Sequence, residues 1–239
     1  MTITSPHNEK LKLIRRLGRR RGRKREGLFL GEGEDLLAAA RRAGAEPVEL
    51  LTAAGEGLGG TEVEPALLAR VSNLGSGTRA IGVWRETWAE EVEAPSVYME
   101  GVSDPGNVGT VIRTADALVG GTVVIGPDCA DPFGPHAVRA SMGAVFSQPL
   151  VRAAIDATPE PRAALVAHGG EPLDALEGVA SVCLGAERDG LSQATAERCD
   201  VQVTIPLREG AESLNVAAAA AIALQRISSR DSRGEGDGD

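Results

Sequence analysis

The sequence predicts an α/β protein built on a mostly parallel sheet and preceded by a smaller α/β domain. Three observations carry this expectation. Short apolar runs of strand length alternate with stretches of helical periodicity along the chain. An acidic, proline-containing stretch, Glu86 to Pro95, divides it. In the second part, glycine- and asparagine-rich turns follow the apolar runs, as in sheets covered by helices on both faces.

In the first part, Leu11, Ile14 and Leu17 recur at helical spacing while Lys10, Lys12, Arg15, Arg16, Arg19 and Arg20 fill the gaps, giving a basic amphipathic helix. Gly27 to Leu30 reads as a short strand. Glu32 to Asp35 then place acids at the positive end of a helix that runs to Arg42 and stops at Gly44. Short strands and helices continue to Ile81–Trp84. In the second part, Val97–Met99 is a strand, followed by a turn and a helix from about Val108 to Leu118. Next come a strand at Thr122–Ile125 and a helix around His136 to Val145. Further strands are expected at Ala164–Val166, Val182–Leu184 and Val201–Ile205, and an alanine-rich helix from Leu214 to about Ser228 closes the domain. The expected division is residues 1–88 as a first domain, 89–96 as a linker, 97–230 as the second domain and 231–239 as a Gly/Asp/Ser-rich disordered tail.

Composition narrows the function classes. Aromatic residues make up 3% of the chain, so aliphatic and alanine side chains are expected to fill the core. The longest uncharged apolar stretch, Val216 to Leu224, falls far short of a membrane span, and the N-terminus has no signal-like apolar segment, so a cytoplasmic protein is expected. Cys129, Cys183 and Cys199 match no zinc spacing, and His7, His136 and His168 are scattered, so no metal site is expected. The formal charge of −9 argues against nucleic acid until its distribution is considered. Lys10 to Arg25 carries +10 with no acid, and the rest of the chain carries −19. That block is a solvated helix, a disordered basic arm, or a surface for the phosphates of RNA or DNA, in which Arg19, Arg20, Arg21 and Arg23 are the expected contacts.

Three loops follow predicted strands and concentrate polar residues where parallel sheets bind ligands. They are Ser103 to Asp116, Leu184 to Ser192, and Ile205 to Val216. Each also has a plain structural reading: a turn and helix cap at Asp104–Asn107, a positive-φ glycine at Gly190, and a cap at Ser213 with Asn215 in the first helical turn. No G-x-G-x-x-G follows a strand and no G-x-x-x-x-G-K-[ST] exists, so the common nucleotide-binding folds lack their phosphate loops.

Taken together, the loops carry a family resemblance. Asn107-x-Gly109-x-x-x-Arg113-Thr114-Ala115, Leu184-Gly185-x-Glu187-x-x-Gly190-Leu191-Ser192, and Ile205-Pro206 followed by Ser213-Leu214-Asn215-Val216 occur in order, with Ala137 to Ala144 as a fourth stretch. The chain resembles the SpoU/TrmH family of the SPOUT superfamily from Val97 to about Arg230, and more loosely across the first domain. It departs from the pattern at Leu207, where methionine is usual, at Ala186, where asparagine is frequent, and at Gly210, one place later than the usual glycine.

The resemblance implies a SPOUT domain with a deep trefoil knot, a ribosomal-protein-like RNA-binding domain before it, and a homodimer with the site near the subunit interface. It implies methyl transfer from S-adenosylmethionine to a ribose 2′-hydroxyl of structured RNA, with 23S ribosomal RNA first and transfer RNA second. The alternatives are a non-catalytic RNA-binding protein on the same fold and a base methyltransferase. Arg113 is implied as the central catalytic group. The resemblance leaves two roles for it, base or electrostatic stabiliser; because guanidinium stays protonated, the physically easier one is to bind phosphate and stabilise negative charge at the 2′-oxygen. Asn107 is expected to orient Arg113 or the ribose, Glu187 to hold an arginine or a hydroxyl, and Ser213 and Asn215 to complete the polar network. Gly185, Ile205 and Leu214 are expected to contact the cofactor, with a larger side chain at 185 filling its slot. His168 is expected either along the same pocket or on a surface loop.

Overall fold

The computed structural model describes residues 2–73 and 77–231. The elements in chain order are α1 (Glu9–Leu17), α2 (Arg20–Glu26), β1 (Leu28–Glu32), α3 (Glu34–Arg42), β2 (Glu49–Ala53), β3 (Thr61–Val63), α4 (Pro65–Val71) and β4 (Ala80–Arg85). There follow β5 (Ser96–Met99), α5 (Pro105–Leu118), β6 (Thr122–Ile125), α6 (Pro135–Ala140), β7 (Leu150–Arg152) and β8 (Arg162–Leu165). The chain closes with β9 (Ser181–Leu184), α7 (Gln193–Ala196), β10 (Val201–Val203) and α8 (Val216–Asp231). The chain forms two compact units, one of Met1–Thr87 with Asp131–Ser147, the other of Trp88–Ala130 with Gln148–Asp239. The tail expected to be disordered lies outside the described residues from 232 onward.

The first unit holds a four-stranded sheet in the order β1-β4-β2-β3, with β4 antiparallel to both neighbours and β2 parallel to β3. One sheet face packs on Leu11, Ile14 and Leu17 of α1 and Leu67, Leu68 and Val71 of α4, so the apolar stripe read from the sequence is the core stripe. The basic helix expected as one element is two. α1 ends at Gly18, and α2 starts after the extended residue Arg19. The opposite sheet face carries an aromatic cluster. Phe29 lies 4.9 Å from Phe133 and 5.7 Å from Phe146, and Trp84 lies 4.9 Å from Phe146. All three phenylalanines of the chain meet here, so the aliphatic core expected from composition has one aromatic exception. Gly82 is required beneath it, because a Cβ there would lie 2.1 Å from the Trp84 ring. The helix expected over 136–145 is instead α6 and a separate 3-10 turn at Ala144–Phe146, parted by positive φ at Met142 and Gly143.

The second unit holds a six-stranded sheet in the order β10-β8-β9-β5-β6-β7, parallel at every pairing. All strand C-termini therefore open onto one edge. Residues 89–95, expected as a linker, are held to this sheet: the Ala89 amide donates to the Leu150 carbonyl and the Glu93 amide to the Thr122 hydroxyl. The edge strand β7 carries a three-residue signal too short to stand out in the sequence. α5 begins at Pro105, three residues earlier than expected, because the Asp104 carboxylate accepts the Asn107 amide as an N-cap. Val108, Val111, Ile112 and Ala115 bury its inner face. β10 stops at Val203, short of the expected Ile205, after which the Thr204 amide turns to the Glu171 carbonyl. No helix among the described residues is long and apolar enough to cross a membrane.

Candidate active site

Beyond the C-terminal ends of β8, β9 and β10 the second unit forms a cavity of about 310 Å³. Leu165 to Ala167 follow β8. Leu184 to Arg188 and Gly190 follow β9. Ile205, Leu207 and Glu212 to Leu214 follow β10, and Val216 and Ala219 open α8. The walls are aliphatic, and Glu187, Arg188, Glu212 and Ser213 supply the charge and hydroxyl. This volume and mixture suit a purine in an apolar slot with polar substituents at its edges.

The loop after β9 is shaped by its own backbone. Ala186 and Gly190 exchange both amide–carbonyl bonds at 3.0 Å, closing a tight turn that projects Glu187 and Arg188. Gly185 lines the cavity but does not keep the slot open. A Cβ there would fall 2.0 Å from the Gly190 carbonyl carbon and the Leu191 nitrogen, so a larger residue breaks the turn instead of filling the pocket.

One side-chain network joins the three signature loops. Asn107 donates from Nδ2 to Glu187 Oε1 at 2.9 Å and accepts at Oδ1 from Asn215 Nδ2 at 3.0 Å. Asn215 in turn accepts the Ala217 and Ala218 amides, so it caps α8. In the plain structural reading Ser213 would make this cap; Asn215 makes it. Ser213 lines the cavity instead, exposed. Glu187 holds Asn107 and not an arginine.

Arg113 stands apart from this network. It follows Asn107 by six residues on α5, about 9 Å along the axis and about 120° around it. It is exposed, and among the described residues its guanidinium has no hydrogen-bonding or ionic partner. Within one chain, then, Asn107, Glu187 and Asn215 meet and Arg113 faces outward. Ile205 and Leu214 lie on the cavity wall, with Leu214 41% exposed. His168 is exposed on the loop after β8, one residue past the cavity lining, which favours its surface-loop reading. Glu212 and Arg188 were missed. Both sit inside signature stretches, at positions where the spacing gave no reason to prefer them over their neighbours.

The basic block of the first unit is also sorted by the structure. Arg23 is 4% exposed: Nε and Nη2 donate to Asp131 Oδ2 at 3.0 and 2.7 Å, and Nη1 donates to the Leu17 carbonyl at 2.9 Å. Arg23 is therefore a buried structural cation and is removed from the expected RNA contacts. Lys10, Lys12, Arg16 and Arg25 pair with carboxylates, and Arg15 donates to the Pro6 carbonyl. Arg19, before α2, and Arg20 and Arg21 on it are exposed without protein partners among the described residues, and Lys24 of α2 joins them.

Comparison with known proteins gives matches over both units. Residues 94–225 match the SpoU rRNA Methylase family, and residues 8–86 match the MRM3-like substrate binding domain. The chain is 29% identical to the 23S rRNA (guanosine(2553)-2′-O)-methyltransferase RlmP of Bacillus subtilis, over 94% of this chain and 98% of that one. Among solved structures, the AdoMet-bound rRNA methyltransferase from Sinorhizobium meliloti superposes with a TM-score of 0.83 at 26% identity, covering 96% of this chain and 98% of that one. The SpoU methyltransferase AviRb from Streptomyces viridochromogenes, in complex with the cofactor AdoMet, superposes with a TM-score of 0.81 at 26% identity, covering 96% and 100%. With three signature loops joined at the strand ends and a match that spans the second unit, this chain belongs to the SpoU rRNA methylase family.

Proposed function

We propose that this protein transfers the methyl group of S-adenosylmethionine to a ribose 2′-hydroxyl of 23S ribosomal RNA. The observation that carries the reading is the Asn107–Glu187–Asn215 bridge, because Glu187 lines the cavity while holding the side chain that opens α5. The cofactor suits the donor set. The aliphatic wall of Leu165, Ile205, Leu207 and Leu214 takes the adenine. Glu187 and Glu212 suit its ribose hydroxyls and cationic groups, and Arg188 suits its carboxylate. When bound, it supplies a methyl group made electrophilic by a sulfonium.

The residues of this chain then act on the acceptor. A ribose hydroxyl attacks well only as its proton leaves, so the site must align it and stabilise developing negative charge. Asn107 is held at both ends of its amide by Glu187 and Asn215, which fixes it without reorganisation at the moment of reaction. Glu187 keeps Oε2 for a hydroxyl, since Oε1 is taken by Asn107. Ser213 adds a hydroxyl at the rim. The Arg113 guanidinium binds the phosphate beside the target sugar and offsets charge at the 2′-oxygen. Its outward position on α5 fits a homodimer in which Arg113 of one protomer completes the site of its partner.

The first unit presents the RNA, with Arg19, Arg20, Arg21 and Lys24 on phosphates. In this reading the first unit, including the fragment 131–147, holds substrate and the second holds the cofactor. The same family reading carries a trefoil knot in the C-terminal chain, which mechanical extension of the second unit from both ends would leave as a fixed shortfall in contour length. A ribosomal RNA substrate suits a cytoplasmic protein.

The test is transfer of radiolabelled methyl to ribosomal and transfer RNA, followed by alkaline digestion. A 2′-O-methyl blocks the adjacent cleavage, so the reading requires one alkali-resistant linkage in 23S RNA. Label on a base, on transfer RNA alone, or on no RNA would each overturn it.

A further inference from the structure

We infer that Glu100, which lies outside all three signature loops, is the positioning residue that sets the cofactor loop 185–191. The inference rests on the proposed placement of the cofactor in the cavity beyond β9.

Glu100 is the residue immediately after β5, and its amide donates to the Leu184 carbonyl at 2.9 Å, continuing the β5–β9 ladder. Its carboxylate then reaches across the far end of the loop. Oε2 accepts the Ser192 amide at 2.9 Å, and Oε1 accepts the Ser192 hydroxyl at 3.0 Å and the Thr195 hydroxyl at 2.9 Å. Both ends of the loop, Leu184 and Ser192, are therefore fixed by a single residue. Three charge-assisted hydrogen bonds on one carboxylate are a strong anchor.

The anchor also reassigns Ser192. It closes the second signature, where a hydroxyl invites a chemical role. Here the hydroxyl is spent on Glu100 and on capping α7, where it accepts the Thr195 amide at 3.3 Å. Between the two fixed ends the loop has little freedom, because Ala186 and Gly190 close it with reciprocal backbone bonds. A shift of the Ser192 end would therefore carry Glu187, and with it the grip on Asn107. Glu100 is not itself among the cavity-lining residues and does not bond Asn107, so its influence on both passes through Leu184 and Ser192.

Isosteric replacement separates geometry from charge. In Glu100→Gln the amide oxygen can still accept the Ser192 amide, and the NH₂ can donate to the two hydroxyls, which are able to accept. Glu100→Ala leaves the Ser192 amide and both hydroxyls without their acceptor.

The experiment combines two readouts on the full chain. Amide hydrogen exchange on the cofactor-free protein should show Ser192 and the Ala186–Gly190 pair exchanging at least about tenfold faster in Glu100→Ala, and near wild type in Glu100→Gln. Calorimetric binding of S-adenosylmethionine should weaken by about tenfold or more in Glu100→Ala, the scale of one charge-assisted hydrogen bond, with Glu100→Gln restoring most of it. Should Glu100→Ala fail to fold, Ser192→Ala removes one of the three bonds and should give an intermediate shift in both readouts. Wild-type exchange and affinity in Glu100→Ala, or in Ser192→Ala as its substitute, would overturn the inference. A wild-type protein that does not bind the cofactor at all would instead overturn the proposed function.

Discussion

Replacing Arg23 with methionine tests whether the basic block is one surface or two kinds of residue. Methionine keeps the apolar stem of the side chain and removes the guanidinium. The guanidinium makes two bonds to Asp131 and one to the Leu17 carbonyl, and the ion pair is buried, with side chains 5% and 13% exposed. Breaking a buried pair from one side costs about 3–5 kcal/mol, because the remaining charge loses its partner without regaining water. Asp131 keeps some solvent access and also accepts the Phe133 amide, so the lower end, about 3 kcal/mol, is the expectation. For a chain of this size that is a fall in melting temperature of about 6–12 °C. Urea unfolding followed by far-ultraviolet circular dichroism measures it. RNA affinity, measured well below the melting temperature, should change little. A variant with wild-type stability and a reduced salt dependence of RNA binding would refute the reasoning and return Arg23 to the RNA-contacting surface.

Three further outcomes follow from the geometry. Arg113→Ala should abolish methyl transfer while leaving the S-adenosylmethionine dissociation constant within about twofold, since Arg113 lies off the cavity lining; substantial turnover would remove it from the chemistry. Neutralising Arg19, Arg20, Arg21 and Lys24 together should reduce the slope of log K against log salt for RNA by about 3, and an unchanged slope would make them a solubility feature. Tyr98, the chain's one tyrosine, is 1% exposed, and burial together with the Glu100 charge pushes its phenol up to about 12. Its absorbance titration should therefore fall well above 10. The unfolded chain loses this proton first, so the stabilisation from Tyr98 is complete below about pH 10 and disappears as pH rises toward 12. A midpoint near 10 in the folded protein would contradict the burial.

The parallel sheet was legible where a strand is a run of β-branched and aliphatic residues closed by a turn signal, as at Thr122–Ile125, and not at the three-residue edge strand β7. The helix start at Pro105 was legible only in part. Asp-Pro reads equally as a turn, and the hydrogen bond from the Asn107 amide decides between the two. The site was visible as three motifs, but their connection was not. Asn107, Glu187 and Asn215 are 80 and 108 positions apart in their contacts, a distance no local pattern spans. Charge misled most at Arg23, which has the same composition signal as Arg21 two residues earlier. α2 turns one to solvent and the other into the first unit's interior. Glu100 was invisible for the opposite reason: it sits between a strand and a signature, and only its three acceptor bonds reveal its task.

The central claim is that loops after three parallel strands hold a methyl donor beside a ribose oxygen. The most direct test is nucleotide-resolution mapping of alkali-resistant linkages in 23S ribosomal RNA incubated with S-adenosylmethionine and either the wild-type protein or Asn107→Ala. Wild type should give one new resistant linkage and Asn107→Ala should lose at least about 99% of it, the scale of removing one fixed group from a charge-stabilising site. A methyl group found on a base, or equal yield from Asn107→Ala, would contradict it.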